Sequence, residues 1–158
     1  MNMCRITNGA MPQMIGKLRT MIRLAPADQC LAFGAIALMA VVRIALWILP
    51  FRWIRRSVEA CGPSRLVAGK FTAQQTGWAV RLAGRHLPGT TCLTQALTAQ
   101  VLLNWSSVGS RLHIGVALGP KFESHAWVES GGRILVGGAG ESARYLPMLT
   151  LEGRIARA

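Results

Sequence analysis

Pro88-Gly89-Thr90-Thr91-Cys92-Leu93-Thr94-Gln95-Ala96-Leu97 and, further along, Glu123-Ser124-His125-Ala126-Trp127-Val128-Glu129 are the stretches that decide how this chain reads. The first opens a helix. Leu87-Pro88-Gly89 ends the preceding element, Thr90 or Thr91 supplies an N-cap oxygen, and Leu93, Ala96, Leu97, Val101 and Leu103 carry the helix from Cys92 to about Asn104. The second lies in a run of strands. One cysteine at the start of a predicted helix and one histidine inside a predicted strand is the pairing expected of a thiol nucleophile and its base.

The period changes after Gly109. Leu112, Ile114, Val116 and Leu118 alternate with His113, Gly115 and Ala117, which is the period of two of a strand. Gly119-Pro120 turns the chain, Ser124 to Glu129 forms a second strand, Gly131-Gly132 a hairpin turn, and Arg133 to Val136 a third strand. Helices followed by a short antiparallel meander make an α+β order. The tail with Tyr145, Leu146, Pro147 and Met148 reads as packing back on the sheet, with no element assigned.

Upstream of the helix of Cys92, Thr72 is an N-cap for a helix from Ala73 to about His86, with Trp78, Ala79, Leu82 and Ala83 as its apolar face. Residues 63–71, rich in Gly, Pro and Ser, read as a linker. They separate a basic, apolar helical region at 1–62 from a catalytic domain at 63–158. Within the first region, residues 1–12 show no periodicity, and Met14, Ile15, Leu18, Met21 and Ile22 trace a short amphipathic helix with Lys17, Arg19 and Arg23 between them.

Leu31 to Leu49, LAFGAIALMAVVRIALWIL, is apolar all round apart from Arg43. Helices of that kind lie in a core or in a bilayer, and a span needs about 20 apolar residues. A mid-span charge costs roughly 2.5 to 3.5 kcal/mol, and basic residues flank the run on both sides without asymmetry. The reading therefore favours a core or membrane-surface helix over a span. Pro50 breaks the run. Phe51, Trp53, Ile54 and Val58 then alternate with Arg52, Arg55 and Arg56 until Cys61-Gly62-Pro63. That basic face is either simply solvated or a docking surface for an acidic peptide or anionic lipid.

A formal charge of +12 is concentrated at the front, with ten basic residues and two acids in residues 1–70. Nucleic acid is discounted as a partner, because these charges flank an apolar segment instead of interleaving with aromatics on a strand or polar helix face. Cys4, Cys30, Cys61 and Cys92 are about thirty residues apart, without metal-ligand spacing, so no metal and no cofactor is expected. The apolar run starts too deep for a secretory signal and no small-residue cleavage site follows it. The expectation is a cytoplasmic protein with free thiols, with membrane association as the second expectation.

The unpaired amides of a first helical turn favour a thiolate over a thiol, and Cys92 holds that position. The same amides can bind the oxyanion of a tetrahedral intermediate, so the backbone N–H of Cys92 is a natural donor. Among the histidines, His86 ends a helix beside Arg85 and reads as surface. His113 alternates with apolar strand residues and reads as outward-facing. His125 has Trp127 two residues along on its own strand face to shield it from water, and is the better base.

Several spaced pieces in order carry a more specific signal: Leu87-Pro88 ahead of Cys92-Leu93, Ala96-Leu97, Leu102-Leu103, Ile114-Gly115-Val116, and His125-Ala126-Trp127-Val128-Glu129 followed by Gly132. Together the run from Arg85 to Gly137, about a third of the chain, resembles the catalytic domain of lasso peptide maturation proteases, in the transglutaminase-like superfamily. Leu49-Pro50-Phe51-Arg52 is similar to the N-terminal part of the stand-alone form. The resemblance implies a transglutaminase- or papain-like core and a cysteine peptidase that removes the leader from a ribosomally made precursor before an ATP-dependent cyclase closes the ring. Its partners would be the precursor peptide with its leader, a small leader-recognition protein, since the chain leaves no room for that domain, and the lasso cyclase.

One departure from the family pattern stands out. The family's third residue is an aspartate on the strand after the histidine, and by spacing that position falls at Gly137. The chain's one aspartate is Asp28. Glu129 lies about 13 Å along the strand from His125 at ordinary strand rise, too far for a direct bond. Glu123 would compete for the same face. Either Glu141 substitutes, or a backbone carbonyl or amide side chain orients the imidazole, or activity is weak. The candidate catalytic set is thus Cys92, His125 and Glu141. A transglutaminase-like acyltransferase, and a membrane-associated scaffold with a degenerate protease fold, are the alternatives.

Overall fold

The structure is a computed structural model that describes residues 26–117, 122–138 and 144–153. The amphipathic helix expected at Met14–Leu24, the Gly119-Pro120 turn and Glu141 lie outside the described residues. Among the described residues, four helices precede a four-stranded antiparallel sheet: α1 (Pro26–Ile48), α2 (Phe51–Ala60), α3 (Ala73–His86), α4 (Cys92–Trp105), then β1 (Arg111–Ala117), β2 (Glu123–Ser130), β3 (Arg133–Val136) and β4 (Leu146–Glu152). The fold is α+β, as the order of periodicities predicts.

Local chemistry starts and stops these helices. α1 is built from Ala, Leu, Met and Ile and ends where Leu49 meets Pro50, since the residue before a proline is pushed out of the helical region. Thr72 and Gln75 close a capping box at α3: the Thr72 hydroxyl accepts from the Gln75 amide at 3.2 Å, and the Thr72 amide donates to Gln75 Oε1 at 3.0 Å. The Thr91 hydroxyl accepts from the Thr94 amide at 3.2 Å to begin α4. Thr91, not Thr90, is the cap.

α4 is the central helix. Thr94 and every residue from Ala96 to Asn104 are buried, because the sheet covers one side and α1 and α3 cover the others. Leu31, Ala35, Met39 and Val42 of α1, Ile54 and Val58 of α2, and Ala79, Val80 and Ala83 of α3 join Leu97, Leu103, Leu112, Val128 and Val136 in one core. Helices from before and after residue 62 share it. Burying each Leu, Met or Val side chain contributes on the order of 1.5 to 3 kcal/mol. On α3 the buried positions are Thr76, Gly77, Ala79, Val80 and Ala83, so Trp78 and Leu82, expected on the apolar face, are half-buried at its border.

The strand order is β3-β2-β1-β4. The first three strands form the expected meander. The fourth crosses over to pair with β1, with His113 opposite Thr150 and Gly115 opposite Pro147. That gives β1 partners on both sides and ties the tail to the middle of the chain.

The polar end of α4 is fastened to the sheet. Asn104 Nδ2 donates to the Val58 carbonyl at 3.2 Å, and Ser110 Oγ donates to Gln100 Oε1 at 3.4 Å, all buried. Ser110 precedes β1, and its carbonyl accepts from the Gly153 amide just beyond β4 at 2.7 Å. Anchored there, α4 packs along β2 on the face that Ala126 and Val128 enter.

Candidate active site

Cys92 is the first residue of α4 and is half-buried against the core. Thr91 has already used its hydroxyl on the Thr94 amide, and the Gln95 amide donates to the Thr91 carbonyl at 3.1 Å. The amides of Cys92 and Leu93 have no hydrogen-bond partner among the described residues. Unpaired first-turn amides beside a thiol are what an oxyanion needs. Cys30 is exposed and Cys61 half-buried, and neither lies in the first turn of a capped helix.

Arg43 accounts for the single charge within the apolar helix α1. Its Nη1 donates to the Pro88 carbonyl in the turn that delivers Cys92. Around that contact lies a cleft of about 530 Å³ lined by Arg43, Ile44, Leu46, Trp47, Gly89, Thr91, Leu93 and Thr94. It adjoins Cys92 on both sides in sequence. A smaller polar cleft, about 310 Å³, lies around Arg111 and Glu129 at the far end of the sheet.

His125 stands opposite Gly115 on β1, and Trp127 opposite His113. The ring of His125 is held on three sides by identifiable groups. Its Nε2 lies 2.6 Å from the Gly137 carbonyl, so Nε2 carries the proton and donates. Trp127 stacks on it at a centroid distance of 6.3 Å and 16°, and Tyr145 at 5.1 Å and 30°. With Nε2 protonated, Nδ1 is the open nitrogen and makes no hydrogen bond among the described residues. That tautomer is the one a base needs.

Two glycines make this arrangement fit. A Cβ on Gly115 would come 2.8 Å from the Leu146 carbonyl and 3.0 Å from the Trp127 ring. Gly137 has φ of +101°, and a Cβ there would come 2.5 Å from the Trp127 Cβ. Only glycine turns the carbonyl toward His125 at this position.

The other histidines have different surroundings. His113 Nδ1 is 3.0 Å from Thr150 Oγ1 and its Nε2 is 3.5 Å from Glu129 Oε1, while the ring stacks on Trp127 at 5.3 Å. The outward direction expected for His113 does not distinguish it from His125. Strand alternation puts both on the face away from the cluster that Ala126 and Val128 enter; what separates them is the hydrogen bonding. His86, expected at the surface, is half-buried, with Nδ1 donating to the Leu82 carbonyl at 2.8 Å and Nε2 buried without a partner.

Glu129 is spent on Arg111 at 3.7 Å and on His113, and Glu123 on Arg144 at 3.8 Å and the Tyr145 hydroxyl at 3.4 Å. Neither reaches His125. α4 and β2 pack together, yet no hydrogen bond joins Cys92 Sγ to His125 among the described residues. Sequence reasoning missed Tyr145 and did not choose the Gly137 carbonyl from the three orienters it held open. A backbone carbonyl has no residue-type signal, and the tail holding Tyr145 has no periodicity.

The family model of the transglutaminase-like superfamily matches residues 36–150, more than half of the chain. The chain belongs to the transglutaminase-like superfamily. No curated protein and no solved structure gives a significant match to it. The superfamily includes cysteine peptidases and acyltransferases, and the match runs from the middle of α1 to β4. Among the described residues no group of three His, Cys, Asp or Glu side chains could hold a metal.

Proposed function

We propose that this transglutaminase-like chain is a cysteine peptidase that removes the leader from a lasso peptide precursor before ring closure. The observation that carries the peptidase reading is His125: a ring wedged against aromatic side chains, its Nε2–H held by the Gly137 carbonyl at 2.6 Å and its Nδ1 open. The finer substrate assignment rests on the motif order from Leu87-Pro88 through Cys92-Leu93 to His125-Ala126-Trp127.

In this mechanism Cys92 Sγ attacks the carbonyl at the leader–core junction as its proton passes to His125 Nδ1. The amides of Cys92 and Leu93 hold the oxyanion. The imidazolium gives the proton to the leaving amine, the C–N bond breaks, and the acyl group remains on sulfur. Water then hydrolyses the thioester, with His125 as base again. The reading requires the His125 ring, which alternation sets on the face of β2 away from Ala126 and Val128, to bring Nδ1 to the thiol in the complex. The Gly137 carbonyl replaces the aspartate as orienter, and it stabilises the imidazolium less than a full charge would.

Precursor, recognition partner and this chain together should give leader cleavage that Cys92→Ala abolishes; unchanged cleavage by that variant would sink the proposal. A second reading, a scaffold with a degenerate protease fold, is favoured by the missing hydrogen bond between Cys92 and His125. Iodoacetamide separates the two. Selective alkylation of Cys92 at neutral pH supports an activated thiolate, and slow, uniform labelling of all cysteines supports the scaffold. Transfer of the acyl group to an added amine in place of water would identify an acyltransferase.

A further inference from the structure

α1 is the one helix among the described residues long and apolar enough to cross a membrane. Its two faces have different neighbours. Leu31, Ala35, Met39 and Val42 are sunk in the core against α3 and α4. On the opposite side Phe33, Ala37, Val41, Ile44 and Ile48 follow one another at spacings of three and four, all exposed and all apolar. Over those residues the stripe is about 22 Å long at helical rise. Trp47, 90% exposed, stands beside it, and Trp53 of α2 is exposed just past the Pro50 bend. An apolar surface of this extent marks an interface.

Charge identifies its occupant. Exposed Arg52 and Arg56 follow the stripe on α2, and Arg55 pairs with Glu59 at 3.8 Å. Arg43 lies at the edge of the stripe and is exposed. Apart from Asp28 at its start and Glu59, α1 and α2 contain no acid. We infer that the outer face of α1 and the arginines of α2 form one docking surface for a bilayer rich in anionic lipid. The apolar stripe and the two indoles enter the acyl-chain boundary, and Arg52 and Arg56 meet the headgroups.

This surface lies on the membrane and does not cross it. The inner face of α1 is the partner of Ala79, Val80 and Ala83 on α3, so immersing the whole helix would strip α3 and α4 of their apolar cover. A second copy of the chain is a poorer occupant, because an isologous contact repeats the same basic face and brings Arg52 and Arg56 no acid beyond Asp28 and Glu59, the latter already paired with Arg55. The cleft beside Cys92 shares Ile44 and Trp47 with the stripe, so docking would bring the candidate active site to the membrane surface.

Co-sedimentation of the full chain with phosphatidylglycerol/phosphatidylcholine vesicles tests the inference without requiring peptidase activity. The chain should bind these vesicles with a blue shift in tryptophan emission, and should bind pure phosphatidylcholine weakly. Arg52→Gln with Arg56→Gln should weaken binding roughly thirty-fold. Val41→Ser with Ile48→Ser should remove binding while near-UV circular dichroism stays native, since both side chains are exposed. Alkaline carbonate should release the bound protein. Carbonate resistance would mean a span and would overturn the inference. So would equal binding to both vesicle types, no vesicle binding, or a dimer in solution that the Val41/Ile48 double variant dissociates.

Discussion

His125 Nε2 donates to the Gly137 carbonyl across 2.6 Å, at the position where the resemblance to lasso peptide proteases implies an aspartate. A carbonyl orients an imidazole as well as a carboxylate does, because it fixes the same nitrogen as donor. It lacks the charge, which matters once the ring becomes imidazolium. The pair therefore combines a complete orientation with a reduced electrostatic contribution.

Restoring the acid at that position should fail. Gly137→Asp places a Cβ at φ of +101°, 2.5 Å from the Trp127 Cβ and 2.8 Å from the Ala126 carbonyl. We expect destabilisation of about 2 kcal/mol or more in urea unfolding, and lower activity. A stable, more active Gly137→Asp enzyme would show that the backbone there relaxes freely.

Removing the base should be costly to activity and cheap to the fold. His125→Ala is expected to reduce cleavage by about 10² to 10⁴. Tryptophan emission should move little, because Trp127 keeps its stack on His113 at 5.3 Å. An equal loss on His113→Ala with unchanged stability would point to the wrong histidine.

Thr91→Ala removes the side-chain N-cap of α4. Loss of the bond from the Thr94 amide should destabilise the protein by about 1 kcal/mol. Because the frayed turn contains Cys92, alkylation of that thiol should also change in rate, whereas Thr72→Ala, at the distant cap of α3, should cost similar stability and leave the alkylation rate alone.

Asn104→Ala should destabilise the fold. It removes one of two donors to the Val58 carbonyl, the Cys61 amide at 3.2 Å being the other, and takes Gln100 Nε2 from its acceptor at 3.4 Å. A buried amide left unsatisfied costs about 1 to 3 kcal/mol. A lower thermal midpoint with normal Cys92 alkylation below it is expected, and an unchanged midpoint would show that water enters and replaces the lost bonds.

Much of the chain was legible from local chemistry. Thr72 and Thr91 announce their helices, Pro50 ends one, and alternation places Arg133 to Val136 as a strand with the same bounds the structure has. Cys92 at a helix start and His125 on a strand were equally readable. These signals are legible because capping, proline sterics and side-chain alternation act within a few residues. α4 was harder to orient, since a helix buried all round has no polar stripe to show which way it faces.

By itself the sequence determined the α+β order, the caps, the absence of a carboxylate at residue 137 and the basic front. Tertiary structure alone decided that β4 pairs with β1, that Arg43 ties an apolar helix to the turn before Cys92, and that one face of that helix is core while the other stays open. It alone set the Gly137 carbonyl on His125 and occupied both nitrogens of His113. These contacts join residues 12 to 45 positions apart, and no pattern of a few neighbouring residues encodes which distant groups meet.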